Sequence, residues 1–445
     1  MEKLKKLEPS AFWKVLFGFF SLAALAMAVI LPDRGDMLRG FGTICLSPAQ
    51  VTKSYFAYGG LSGTFLNAAL VGAVCTALYC LPEAKATAPS VIAFFLTYGF
   101  AFWGINPLNM IPSLLGIGIY CLVKKEAYGK NVNFALYATG LAPLITDLLF
   151  QYPGLTWHGF TAAGIARALV IGCAIAFFLP AGCKHSPNVH KSYDLYSAAV
   201  PVGVTAFFLR AILYKALGGQ LPEAAGLGLE DSFWAVCNLF CIVCFALCIV
   251  FAALMGCTGK RYLEILRDPG YSVDFAARYG TAPALMNVGV YGLFIVLYYN
   301  LIGASFNAVT LGCIFCMLAC VDSGSHPRNV WPIMVGYVAA SFLAKLLFHG
   351  EAFSLAINAQ AIVVGLCFAN GLSPISGKYG WPFGILAGMM HYCLVTCVPL
   401  LHGGFCLYNG GFTAAFVALW LAPVLEHFCK TKEERRQLKA EKARS

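Results

Sequence analysis

The chain is 445 residues long, with 60% hydrophobic residues, 11% charged residues and a mean hydropathy of +0.75. Soluble domains carry about 25% charged residues, so a chain dissolved in water is excluded. The formal net charge of +10 does not point to nucleic acid, because the basic residues sit in short loops and at both ends and form no stripe on a folded face.

In chain order, apolar runs suited to crossing about 30 Å of hydrocarbon lie near residues 12–31, 54–81, 88–105, 109–124, 133–151, 158–180, 195–217, 232–255, 280–302, 305–321, 329–348, 353–373, 381–400 and 406–426. They predict an all-α integral membrane protein with about 14 transmembrane helices. With the N-terminus inside, 22 of the 30 Lys and Arg fall in cytoplasmic segments, and only Arg34, Arg39 and Lys53 fall in outside loops. That asymmetry follows the positive-inside rule and predicts that both termini are cytoplasmic. The loop at 218–231, with Glu223, Glu230 and Asp231 and no Lys or Arg, is assigned outside. The 19 cysteines fall mostly inside apolar runs, where they act as small hydrophobes and imply no disulfide framework. The C-terminal KTKEERRQLKAEKARS reads as a solvated cytoplasmic tail.

The chain also resembles itself. Phe12-Trp13 matches Phe233-Trp234, Tyr58-Gly59 matches Tyr279-Gly280, and Asn67 matches Asn287. NPLNMIPSLLG, from Asn106, matches HPRNVWPIMVG, from His326, and TGLAPL matches NGLSPI. Trp157, Ala163, Gly164 and Arg167 match Trp381, Ala387, Gly388 and His391, and HKSYDLYS matches HGGFCLYN. This predicts a first repeat over 1–217, an outside linker at 218–231, a second repeat over 232–427 and a basic tail at 428–445. Seven spans per repeat is an odd number, so the copies are expected to be inverted. Transporters of that design bind near the midplane, where the repeats meet. The first span contains AALAMA, which looks like a signal-peptide cleavage site. It is expected to stay uncleaved because it matches an internal span.

The candidate substrate or gate residues follow from helix breakers and intramembrane polar groups. Paired prolines in the two NPxNxxP-like blocks remove backbone donors, which makes Asn106, Asn109, His326 and Asn329 candidates. The competing reading is a tight turn with Asn as cap and Pro as helix starter. The GLAP and GLSP blocks permit discontinuous helices or plain kinks, and they add Asn370 and Ser373. Asn67 and Asn287 join as a matched pair, as do His402, Tyr408 and Asn409 from the last matched block. Arg167 and His391 fall near the centres of equivalent spans, where a charge is costly and by default functional. The alternative pairs Arg167 with Asp147 and leaves His391 as a satisfied core histidine. No cofactor and no metal are expected: Cys183, His185 and His190 fit no standard zinc spacing. Nucleotide-binding and HExxH or GxSxG patterns are missing from the sequence.

The stretches GGLSGTFLNAALVG and HGGFCLYNGGFTAAFVA, with the NPLN block between them, resemble a family of bacterial polytopic membrane proteins known only as a domain of unknown function. The resemblance implies a bacterial inner-membrane location and assigns no chemistry. The seven-plus-seven layout is similar to nucleobase and bicarbonate or sulfate transporters at the level of fold alone. The expected function is a secondary transporter for a small polar or anionic solute, with the bilayer and a proton or other coupling ion as its partners. The alternatives are a passive channel and a membrane-embedded enzyme using His326, His391, His402 and Asp322.

Overall fold

The computed structural model describes residues 7–49, 54–222, 233–347 and 356–443. Glu223, Glu230, Asp231 and Lys53, used above to assign outside loops, lie outside the described residues. Every regular element among the described residues is helical. Ten helices are long and apolar enough to cross a bilayer, and three shorter apolar ones span 88–100, 308–318 and 381–395. The chain is a multi-pass membrane protein.

The first half contains α1 (Pro9–Ile30), α2 (Met37–Cys45), α3 (Tyr55–Tyr79), α4 (Ala88–Phe100), α5 (Pro107–Lys124), α6 (Val132–Ala138), α7 (Ala142–Phe150), α8 (Ala162–Val189) and α9 (Ala199–Arg210). A π-helical turn extends α9 over Ala211–Ala216. The second half contains α10 (Trp234–Leu254), α11 (Gly259–Arg267), α12 (Phe275–Tyr279), α13 (Thr281–Leu301), α14 (Ala308–Leu318) and α15 (Pro327–Leu347). It continues with α16 (Gln360–Ala369), α17 (Ser373–Tyr379), α18 (Trp381–Val395), α19 (Val398–His402), α20 (Asn409–Phe428) and α21 (Lys432–Lys442).

Three features depart from the sequence reading. The loop after α1, expected to lie outside, contains α2, whose Gly40 lies so close to α3 that a Cβ there would meet the Gly59 carbonyl oxygen at 2.0 Å. Helix α8 starts at Ala162, where the Thr161 hydroxyl accepts the Gly164 N–H at 3.0 Å, and it runs on to Val189. The tail is helical from Lys432: its capping box uses Thr431 and Glu434, and Lys432 Nζ donates to the Ser376 carbonyl at 3.1 Å. Arg435 donates to the Tyr379 carbonyl. The tail thus caps the C-terminal carbonyls of α17, as basic residues at helix ends do.

The centre of the molecule is made by α4 and α14. At about 1.5 Å per residue, their 13 and 11 residues reach only about 20 and 17 Å, short of the bilayer core. All of α14 is buried, and so is α4 except for Pro89. The end of α4 at Phe100 and both ends of α14 are therefore shielded by protein, the condition under which interrupted backbone is tolerated at membrane depth. The two helices touch backbone to backbone: a Cβ on Gly99 would lie 2.6 Å from the Gly312 carbonyl oxygen and 2.9 Å from Cys316 N, and one on Gly312 would lie 2.4 Å from the Gly99 carbonyl oxygen. Trp103, one turn after Gly99, packs on Gly312, whereas Leu96, one turn before it, lies near Cys316. The contacts run in opposite directions along the two helices, so α4 and α14 cross antiparallel.

Candidate functional site

After α4 the chain turns back within the protein interior, and the buried carbonyls at that turn need donors. Asn67, fully buried on α3, supplies them: its Nδ2 donates to the Ala101 and Ile105 carbonyls at 2.6 and 2.9 Å. Asn287, fully buried on α13, donates in the same way to Val321 and Ser325 at 2.8 and 2.9 Å after α14. These two candidates secure helix ends.

The NPLN and HPRN blocks begin the next helices. Asn106 accepts the Asn109 N–H at 3.0 Å and donates its own N–H to Asn109 Oδ1 at 2.9 Å, a reciprocal cap that starts α5. Asn109 Nδ2 also reaches the Gly104 carbonyl at 2.9 Å and Thr146 Oγ1 at 3.1 Å. In the second block, Asn329 Oδ1 accepts the His326 N–H at 3.0 Å and Asn329 Nδ2 donates to the Gly324 carbonyl at 2.8 Å. Gly104 and Gly324 have φ of +109° and +140°, values that L side chains rarely adopt. The cap-and-starter reading describes both blocks. His326 Nε2 lies 3.0 Å from the Asp268 carbonyl oxygen, and burial lowers its pKa to about 4, so it is neutral at pH 7.

The helix breaks lie elsewhere. Helices α6 and α7 are joined by a 3-10 turn at Thr139–Leu141, and α16 and α17 by one at Asn370–Leu372. Pro143 and Pro374 each stand at the start of the second piece, where a missing N–H costs nothing. Each break is filled from the opposite half. The Leu407 N–H donates to the Gly140 carbonyl at 2.9 Å and the Tyr408 ring lies against Gly140. The Leu195 N–H donates to the Gly371 carbonyl at 3.0 Å and the Tyr196 ring lies against Gly371.

The two breaks share this backbone arrangement and differ in polarity. The Tyr196 hydroxyl lies 2.8 Å from Asn370 Oδ1 and 2.9 Å from the Cys316 carbonyl oxygen. Asn370 Nδ2 donates to the Met317 carbonyl at 2.8 Å and to the Tyr291 hydroxyl at 3.0 Å. Ser325 Oγ donates to the Asn370 carbonyl at 3.2 Å and lies 3.1 Å from Ser373 Oγ. At the other break, the Tyr408 hydroxyl is fully buried and makes no hydrogen bond of normal length, with the Thr139 side chain beside it. Its ring sits among Phe100 and Phe368 at 5.7 and 6.1 Å. Asn409 is half-buried and starts α20.

Sequence reasoning missed Tyr196, Tyr291 and Ser325. Tyr196 occupies the place in HKSYDLYS that Tyr408 occupies in HGGFCLYN, so the signal was in the matched block. Beside Tyr196, on the connection between α8 and α9, Asp194 is buried with its Oδ1 accepting the Tyr196 N–H at 3.0 Å. Burial raises its pKa to about 7, against the lowering effect of that N–H.

The remaining candidates do not join the breaks. Arg167 falls in the second turn of α8, because that helix begins later than expected. It is half-buried, donating through Nη2 to the Tyr152 carbonyl at 2.7 Å with its guanidinium 5.8 Å from the Tyr152 ring centre. Asp147 instead accepts the Tyr214 hydroxyl, so two separate contacts stand in place of the alternative Arg167–Asp147 pair. His391 is fully buried and satisfied at both nitrogens, with Tyr337 Oη 2.5 Å from Nδ1 and the Gly410 carbonyl oxygen 2.8 Å from Nε2. His402 is buried against the Phe412 ring, 5.0 Å between centroids, and neither nitrogen has a partner. His326, His391 and His402 share no hydrogen-bond partner. Among the described residues, no three His, Cys, Asp or Glu come together as a metal site.

A groove of about 940 Å³ between α5 and α8 is lined mainly by apolar residues such as Leu115, Ile119, Leu122 and Leu169. It is separate from both breaks.

No curated protein and no solved structure matches the chain. A family model described as "Protein of unknown function (DUF1576)" matches residues 34–215 and again 257–427; the chain belongs to that family.

Proposed function

We propose that this protein is a secondary transporter for a small polar or anionic solute, built from two inverted repeats of about seven spans and binding its solute where the two broken helices meet the opposite repeat. The inversion is supported by the antiparallel crossing of α4 and α14, whose residues correspond at the same spacing of 220 that relates Asn67 to Asn287. A two-fold axis that reverses these helices lies in the membrane plane, the symmetry of many transporters. The two matches of one family model are in keeping with a duplication. The charge asymmetry of the loops favours cytoplasmic termini, and the resemblance to a bacterial family favours an inner-membrane location.

The observation that carries the reading is the pair of plugged breaks, of which one holds its tyrosine hydroxyl in a hydrogen-bond network and the other leaves its tyrosine hydroxyl without a hydrogen bond. The Tyr196–Asn370 network fills the second repeat's break, whereas the Tyr408 hydroxyl faces the first repeat's break with no hydrogen bond of normal length. A buried hydroxyl left unpaired costs about 1–3 kcal/mol. A polar solute that accepts or donates at that hydroxyl recovers the cost.

A thermal-shift screen of purified protein against small polar and anionic compounds tests this directly. A ligand at 100 times its Kd adds about 2.7 kcal/mol to the native state. Tyr408→Phe is expected to stay folded and to lose the shift. Equal stabilisation of the folded Tyr408→Phe protein contradicts the assignment.

A further inference from the structure

Two carboxyl groups come together where the first half of the chain meets the second, outside the hydrogen-bond networks that fill the breaks. Asp322 stands in the turn after α14 and is fully buried. Its Oδ1 accepts the Ala276 N–H at 2.8 Å, its backbone carbonyl accepts the Phe275 N–H at 2.9 Å, and its Oδ2 has no hydrogen bond. Asp274 caps α12: its Oδ1 accepts the Ala277 N–H at 2.8 Å and its Oδ2 accepts the N–H of Ala88, the first residue of α4, at 3.2 Å. The Asp274 carboxyl is the charged neighbour of Asp322. Trp13 of α1 lies beside Asp322, fully buried, and its indole N–H is also without a hydrogen bond.

The groups around the pair decide what it can hold. The basic residues nearby are engaged elsewhere: Lys14 Nζ donates to the Ala84 carbonyl at 3.0 Å, and Arg278 pairs with Asp268 at 2.8 Å. His326 bonds the Asp268 carbonyl. Among the described residues, no lysine or arginine forms an ion pair with Asp274 or Asp322. What faces the two carboxyls from α1, α4 and α12 is a set of N–H donors. Donors repel a metal cation, which needs several oxygen ligands, and they stabilise one carboxylate. Asp274 is half-buried and Asp322 fully buried, and a buried carboxyl beside a second carboxyl favours its protonated form.

We propose that Asp274 and Asp322 form a proton-binding site shared by the two halves, with the proton carried on Asp322. Burial first, and the Asp274 charge second, raise the Asp322 pKa well above the usual carboxyl range. Release breaks the Asp322 O–H bond, sends the proton to water, and leaves two carboxylates that repel across the contact between α4 and the segment leading into α12. Trp13 and Ala88 belong to the first half, and Asp274 and Asp322 to the second, so proton occupancy bears on how the halves fit together. In the transporter proposed above this is the coupling site, and that part alone rests on the transport reading. The residue 220 positions before Asp322 is Phe102, so the other half has no counterpart.

Infrared spectra of the full chain in detergent, titrated with pH, test the site without any solute. The wild type is expected to show a protonated-carboxyl band at pH 7 that disappears in Asp322→Asn. Asp274→Asn, which removes the neighbouring charge and keeps the proton acceptor, is expected to shift the loss of that band to lower pH. A wild-type spectrum matching that of Asp322→Asn at pH 7, or a titration unmoved by Asp274→Asn, overturns the proposal. Neither result bears on solute transport, so the proton site and the transport reading can fail separately.

Discussion

The backbone N–H of Leu407 donates to the carbonyl of Gly140 at 2.9 Å, so a loop of the second half supplies the hydrogen bond that the broken helix of the first half cannot make for itself. Leu195 does the same for Gly371 at 3.0 Å in the opposite direction. A backbone left open at a helix break is expensive inside a membrane. The reciprocal exchange satisfies both breaks and ties each half to the other.

The glycines are required for this approach. A Cβ on Gly140 would meet the Tyr408 ring at 2.8 Å, and one on Gly371 would meet the Tyr196 ring at 2.5 Å and Asp194 Oδ1 at 2.6 Å. Gly140→Ala and Gly371→Ala are each expected to destabilise the protein by about 1–3 kcal/mol through overpacking. Thermal unfolding in detergent measures this, and unchanged midpoints would show that the plugs are loose.

Asn67→Ala and Asn287→Ala each remove one donor group serving two buried carbonyls. Each unsatisfied group costs about 1–3 kcal/mol, so both variants are expected to lose comparable stability. Folded yield and unfolding midpoint report the loss. A solute-binding role with no structural part predicts normal stability in both.

Asp194 makes stability depend on pH. Its folded-state pKa of about 7 lies above the unfolded value of about 3.9, so the folded protein binds the extra proton. Its contribution is fully present below about pH 4 and is lost as pH rises towards about 7. Asp194→Asn is expected to flatten that slope, which unfolding midpoints collected across this range would show. His190, which faces it through the Asp194 N–H at 3.4 Å, has its pKa lowered to about 4 by burial and stays neutral through most of the window.

Much of this architecture is legible in the sequence, and the limits have physical causes. Hydropathy locates the long helices because lipid demands a continuous apolar run, and Gly-Pro pairs mark both breaks because they weaken helix continuity. Helix α2 escapes because nine amphipathic residues between spans resemble a polar loop. The roles of Asn67 and Asn287 escape because the carbonyls they serve lie 34 to 38 residues away. Arg167 stands in the second turn of α8 and not at its centre because hydropathy does not resolve the start of that helix from the chain before it. Tyr196 and Leu195 are invisible as plugs because they act on the far half of the chain, where no local periodicity reports them.

Concentrative uptake tests the central claim most directly. With a ligand identified by thermal shift, proteoliposomes holding the purified protein under an imposed ion gradient are expected to accumulate it above the outside concentration. Folded Tyr408→Phe protein is expected to lose that accumulation. Flux that only ever runs downhill would indicate a channel, and full uphill uptake by Tyr408→Phe would contradict a solute site at the helix breaks.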